Sequence, residues 1–204
     1  MNVKKNLFKN KVQMVTYIIF FFLLIGCFIY LGNQNFGKKE TEDRKKFDND
    51  FTLVDENNIY KYVNNTEART QINSGNTIVF FGTKNNEWVN YYAKILNDAA
   101  KDAGIAQIYY YDFISDRDSK NGTYQSIVNS LSNYLVKNDE DKYDIYAPTL
   151  VVIKNKEVIY FDDQTSLIHG KTTPKEYWND YKTNEVKATL KTVFKKYVEN
   201  NNGK

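Results

Sequence analysis

The chain is short of sulfur, imidazole and proline. One residue is cysteine, Cys27, one is histidine, His169, and two are proline. A single cysteine excludes an internal disulfide framework, a Cys-x-x-Cys redox pair and a thiolate zinc cage. One histidine excludes the common multi-histidine metal sites. Arginine is scarce too: three, against 25 lysines and 26 asparagines, a balance that reads as an AT-rich coding bias of bacterial type. Basic excess is missing where it would matter. The formal net charge is +3, but Lys4, Lys5, Lys9 and Lys11 face no acid within residues 1–31, which leaves −1 on residues 32–204. No basic face stands out, so nucleic acid is not an expected partner. What the chain does have is apolar substance. Of its 204 residues 42% are hydrophobic and 16% aromatic, enough for one packed domain plus extras.

From Val12 to Leu31 runs VQMVTYIIFFFLLIGCFIYL, 20 residues without a charge. As a helix this run spans about 30 Å, the thickness of a bilayer's hydrocarbon core. The four preceding lysines favour a cytoplasmic N-terminus. The expected plan is a cytoplasmic tail over 1–11, a transmembrane helix over 12–31 and a flexible polar stalk over 32–50. A soluble domain over 51–198 lies outside the cell, and a disordered tail over 199–204 ends the chain. A second reading stays open. Leu24-Ile25-Gly26-Cys27 resembles a bacterial lipobox, in which the cysteine is lipidated after cleavage. Against it, Phe28–Leu31 continues the apolar run. Both readings place the domain on the outer face of the cell membrane.

Within the domain, Tyr60–Val63 alternates as an edge strand, Thr66–Ile72 is a short helix capped by Asn65 or Thr66, and Ser74–Asn76 is a turn. Thr77–Phe81 (TIVFF) has no polar alternation, as a central strand covered on both faces should. Trp88, Tyr91, Tyr92, Ile95, Leu96, Ala99 and Ala103 then mark one face of a helix, started by Asn85 or Asn86 and ended by Gly104. Gln107–Phe113 is a strand and 115–122 a polar loop. Tyr124, Ile127, Val128, Leu131, Tyr134 and Leu135 mark a second helix, and 137–144 a charged loop. After Pro148 an apolar strand runs to Ile153 and turns at Asn155-Lys156 into Val158–Phe161. Thr173-Pro-Lys-Glu176 is a capping box with proline at the first helical position, opening a short helix through Tyr181. Val186, Leu190, Val193, Phe194 and Tyr197 mark the last helix. Strand–helix–strand units require parallel pairing, and the late hairpin must be antiparallel, so an α/β fold with one mixed sheet flanked by helices is expected.

This order, with Pro148 opening the late hairpin, resembles the thioredoxin fold over roughly residues 60–197. Ala147-Pro148-Thr149 is similar to that family's cis-proline loop. Residues 79–89, VFFGTKNNEWV, are similar to the strand and turn that lead to its active site. The resemblance places Asn86 and Val89 where the family carries its two redox cysteines, and Phe80 where many members carry a buried acid. Thiol–disulfide exchange needs a thiolate, which neither an amide nor an isopropyl group supplies. Redox activity is therefore not carried over, and Asn86 has a structural use as a helix cap. The plan is also similar to membrane-anchored thioredoxin-like accessory proteins of bacteriocin export and other secretion systems, which usually keep the cysteine pair.

The resemblance further implies that the backbone beside Pro148 pairs with an extended peptide as an added strand, a mode that needs no sulfur. The candidate binding groove is Asn86, Trp88, Val89, Ala147, Pro148 and Thr149. Trp88, Tyr91 and Tyr92 form either an exposed aromatic rim there or core packing, with Trp88, in the first turn, the most exposed of the three. His169 has no partner at a defensible spacing and reads as a solvated loop residue. Asp112, Asp116, Asp118, Asp162 and Asp163 read as loop charges, since no Asp-x-Asp-x-Asp-Gly loop exists. No catalytic residue, metal or cofactor is expected. The expected function is a non-enzymatic, membrane-tethered accessory that binds a peptide or protein in a secretion, bacteriocin-export or transfer system. Two alternatives stay open. One is a spacer or assembly subunit. The other is a lipoprotein-type relative of thiol–disulfide enzymes that acts through Cys27 or with a partner's cysteines.

Overall fold

The computed structural model describes residues 11–163, 168, 170 and 172–199, with the side chains of 11–13 and 27–36 outside the description. The expected cytoplasmic tail up to residue 10, His169, the Cys27 side chain and residues 200–204 lie outside the described residues. The chain divides into two compact units, Met1–Glu42 and Asp43–Lys204.

Helix α1 (Lys11–Asp50) contributes to both units. In the first unit, every large apolar side chain from Met14 to Ile25 is exposed. Among the described residues no helix is long and apolar enough to cross a membrane. In the second unit, Asp43–Asp50 is helical and not the flexible stalk expected from its charge. The physical reason is two aromatic side chains spaced one helical turn apart. Phe47 and Phe51 are buried, their rings 4.4 Å apart, and Phe47 stacks on Tyr60 at 3.8 Å. Asn58 Nδ2 donates to the Arg44 carbonyl at 2.9 Å and fixes the following turn.

Five strands follow, β1 (Tyr60–Tyr62), β2 (Thr77–Gly82), β3 (Ile108–Asp112), β4 (Thr149–Lys154) and β5 (Glu157–Asp162), in the spatial order β1-β3-β2-β4-β5. β3 is parallel to both β1 and β2, while β4 is antiparallel to β2 and to β5, as the connections require. Every residue of β2 is buried, which its uninterrupted apolar run foretold. The result is an α/β mixed sheet flanked by helices, compatible with a thioredoxin-like fold. The Ala147–Pro148 bond is cis, as the resemblance implies.

Helices α2 (Asn65–Ser74) and α5 (Gly122–Leu131) pack together on one face of the sheet, and α3 (Glu87–Asp102) and α7 (Asp180–Val198) on the other. Alternation along β2 divides the core between them. Phe80 meets Tyr92 of α3, with ring centroids 5.7 Å apart. Phe81 meets Phe113, which stacks on Tyr124 of α5 at 5.9 Å. The two short helices are α4 (Ile114–Asp118) and α6 (Pro174–Tyr177). α4 corrects the expectation of a polar loop over 115–122. Its Asp116 accepts from Tyr111 Oη at 2.6 Å and from Asn65 Nδ2 at 2.9 Å, so a polar segment is pinned by hydrogen bonds instead of apolar periodicity. α2 is capped by Asn64, one residue earlier than expected, in a full capping box with Glu67. α5 stops at Leu131, and Tyr134 and Leu135 fall beyond it. α6 ends at Tyr177, not Tyr181. Asn155 and Lys156 make the hairpin turn with φ of +52° and +67°, and the Lys156 N–H donates to the Gly75 carbonyl at 2.8 Å.

Candidate functional site

The start of α3 is set by its cap. Asn86 Oδ1 accepts from the Trp88 N–H at 2.9 Å and the Val89 N–H at 3.3 Å, so its oxygen is committed to two of the free donors of a helix N-terminus. Asn85 precedes it at φ +62°. Val89 is wholly buried. Behind it, Gly82 ends β2 so tightly that an added Cβ would lie 2.8 Å from both Val89 Cγ1 and Tyr110 Cε2. A small polar cavity of about 240 Å³ lies in front, lined by Asp50, Thr52, Asn85, Asn86, Glu87 and Asn90. The Leu53 N–H donates to Asn90 Oδ1 at 3.1 Å, and Asn90 Nδ2 to Thr52 Oγ1 at 3.2 Å, stitching α3 to the segment after α1. Burial pushes the Asp50 carboxyl up. Hydrogen bonds from Lys46 and Tyr62, with the charges of Lys46 and Lys84, outweigh that and hold it below its ordinary value.

Ala147, Pro148 and Thr149 form the entry to β4, where Thr149 stands opposite Phe81 in the register with β2. The Thr149 hydroxyl donates to the Tyr146 carbonyl at 2.6 Å. Among the described residues neither the N–H nor the carbonyl of Ala147 is hydrogen-bonded, although this residue is only 7% exposed. Tyr146 beside it is 36% exposed. The six expected groove residues thus fall into two groups. Asn86, Trp88 and Val89 are joined by the helix cap, and Ala147, Pro148 and Thr149 by the strand entry. Neither Ala147 nor Pro148 lines the cavity in front of Asn86.

Trp88 is not the exposed member of the aromatic stripe. It is 8% exposed and Tyr92 2%, while Tyr91 is half-buried. The cause is α6: Tyr177 lies against Trp88 at 5.6 Å between ring centroids, and Trp178 against Tyr92 at 5.6 Å. This cover was missed in the sequence. Its signal was an aromatic pair, Tyr177-Trp178, directly after the capping box in an otherwise polar insertion.

Asp116 and Asp162 are not the loop charges expected. Besides the Asp116 contacts above, Asp162 Oδ2 accepts from Tyr92 Oη at 2.8 Å and Tyr160 Oη at 3.2 Å. Burial, then the Asp162 charge, drives the Tyr92 phenol well above its usual range. Burial and the adjacent Asp162 charge raise the Asp163 carboxyl. Among the described residues no group of three or more His, Cys, Asp or Glu is placed to hold a metal ion. No model of a known protein family matches the chain, and no curated protein matches it.

Proposed function

We propose that this chain is a non-catalytic, membrane-tethered, thioredoxin-like module. It pairs an extended peptide, or an extended segment of a partner protein, with its own backbone beside Ala147. The observation that carries the reading is the Ala147 backbone, unpaired among the described residues, at the entry to β4 and next to exposed Tyr146. Buried backbone donors and acceptors are almost always satisfied, and a strand laid alongside satisfies both. The strand order supports membership of the thioredoxin-like group. Asparagine and valine at the two cysteine positions support a binding role over a redox one. Accessory work in a secretion, bacteriocin-export or transfer system is the setting we propose, on the likeness of plan.

The anchor belongs to the same proposal. Its support is the 20-residue uncharged run 12–31, lying within the span of α1. A helix apolar on all sides is suited to a bilayer or to deep burial, and the large apolar side chains from Met14 to Ile25 are exposed. The basic residues 4–11 favour an N-terminus inside and the domain outside. Lipidation at Cys27 is the competing anchor. Cys27→Ser should leave the chain in the membrane at full length; its release, or a lipid-sized mass on Cys27 in the natural chain, would establish the lipoprotein instead.

A second reading, an assembly or spacer subunit with no groove function, is favoured by the packing of Tyr177 over Trp88. Peptide-array binding by the full chain in detergent micelles separates the two. The binding reading predicts retention of extended peptides by the natural protein and loss with Ala147→Arg. Equal signals from both, or none from either, would leave only the assembly role.

A further inference from the structure

Residues 137–144 form an ordered wall. Lys137 and Tyr143 pair as an antiparallel bridge, and the Asn138 N–H donates to the Lys142 carbonyl at 2.8 Å. Asn138 Oδ1 accepts from the Glu140 and Lys142 N–H groups, each at 3.0 Å. With the end of α4 and with α5, this wall bounds a hollow of about 740 Å³. Small-molecule sites run at roughly 300–1,000 Å³, so the hollow has room for far more than an inorganic ion. Val128 is its one aliphatic residue and Tyr143 its one aromatic, so its ligand must be hydrophilic.

The charges around the hollow are not equally available. Its three acids are all engaged. Asp141 pairs with Lys137 and Glu140 with Lys142, each at 2.7 Å. Asp144 Oδ1 accepts from the Tyr124 hydroxyl and, at 3.0 Å, from the Ile145 N–H. Those pairs use two of the four bases, and the other two keep donors free. Arg117 meets Asp118 through Nε at 3.2 Å, and its Nη groups have no partner among the described residues. Neither has Lys120 Nζ, nor the side-chain amides of Gln125 and Asn129 on α5.

Lys120 also stands where glycine is at home. It follows α4 at φ +54°, the left-handed position that glycine favours after a helix. Its N–H donates to the Arg117 carbonyl at 2.9 Å, and the Asn121 N–H to the Asp116 carbonyl at 2.8 Å. Among the described residues, no side-chain contact of Lys120 offsets that backbone strain. Its charge is felt on the facing wall. After the hydrogen bond and charge of Lys142, the charge of Lys120 helps to hold the Glu140 carboxyl below its ordinary value.

We propose that this hollow is a binding site for a small hydroxylated carboxylic acid, of the sugar-acid class. Its carboxylate meets Arg117 Nη and Lys120 Nζ, the cationic donors left uncommitted. Its hydroxyls meet the amides of Gln125 and Asn129, which like hydroxyls both donate and accept. The site is separate from the peptide-binding reading, since none of Ala147, Pro148 and Thr149 lines it.

Isothermal titration calorimetry of the full-length chain in detergent micelles at low salt tests this with D-glucuronate and D-glucose. Glucose carries a hydroxymethyl group where glucuronate has its carboxylate. Glucuronate should bind at least about tenfold more tightly than glucose, and its affinity should fall as sodium chloride is raised. Lys120→Gly should weaken glucuronate at least about tenfold, while its melting temperature stays at or above that of the natural protein. A lysine with only a structural role would do the reverse, lowering the melting temperature and leaving the affinity alone. Should Lys120→Gly fail to fold, Arg117→Gln carries the same prediction for affinity. Glucose bound as tightly as glucuronate, or affinity unchanged in the variant, overturns the inference. So does the absence of glucuronate binding up to about 10 mM.

Discussion

Helices α3 and α5 begin in the same way on opposite faces of the sheet. Asn86 Oδ1 accepts from two N–H groups at 2.9 and 3.3 Å, and Asn121 Oδ1 accepts from the Thr123 and Tyr124 N–H groups at the same 2.9 and 3.3 Å. The position that the thioredoxin resemblance assigns to a reactive cysteine is thus built as an ordinary helix start. The surroundings differ. At α5, the Tyr124 hydroxyl donates to Asp144 and accepts from the Ile145 N–H at 3.2 Å. On the α3 side, the Tyr110 hydroxyl and the Trp178 indole are buried without partners among the described residues, as the Thr77 hydroxyl is on the α5 side. The contrast is between two tyrosines: the Tyr124 hydroxyl both donates and accepts, and the Tyr110 hydroxyl does neither among the described residues.

That contrast can be broken or sharpened by substitution. Phe47→Ala should have the largest effect, about 3–5 kcal/mol lost, because it empties the aromatic cluster covering Tyr60 and Tyr110; denaturant unfolding of the full chain measures it. A loss under about 1 kcal/mol would make the end of α1 the accessory stalk that its charge suggests.

The tyrosine pair comes next. Tyr124→Phe removes a hydrogen bond to a carboxylate and should cost about 1.5–3 kcal/mol, whereas Tyr110→Phe removes a buried hydroxyl with no partner among the described residues and should be neutral or stabilising. Equal losses would erase the difference between the two hydroxyls.

The glycines follow. Gly82→Ala drives a Cβ to 2.8 Å from Val89 and Tyr110 and should cost about 1–3 kcal/mol. At Gly122, the first residue of α5, an added Cβ meets nothing within 4 Å, and alanine should be neutral or gain about 0.4–1 kcal/mol. Reversed signs in thermal unfolding would mean that the α3 junction is looser than its geometry.

Smallest and most diagnostic are the caps. Asn86→Ala and Asn121→Ala should each cost about 1 kcal/mol and agree to within about half of that. A much larger loss at Asn86 would show that its side chain does more than cap.

Much of this architecture was legible in the residues. TIVFF had to be central, the spacing from Trp88 to Ala103 had to be a helix, and the hairpin at Asn155-Lys156 had to be antiparallel. The Thr173–Glu176 capping box stands as written. What could not be read was held by contacts between distant residues. Phe47 looks like a stray ring among charges until Tyr60 and Tyr110 surround it. Ile114–Asp118 carries one apolar residue, and Tyr111 and Asn65 pin its turn through Asp116. Trp88 looks exposed at a first turn because periodicity along one helix says nothing of Tyr177, 89 residues later. The candidate site was legible as two local pieces, the Asn86 cap and the Ala147–Thr149 entry. The cover over its aromatic side was not.

Amide hydrogen exchange at Ala147 in the full-length chain tests the central claim most directly. With a saturating extended peptide, the account predicts that this amide becomes at least about tenfold more protected, while the capped amides of Thr123 and Tyr124 stay as they were. An Ala147 amide whose exchange is the same with and without peptide would contradict it.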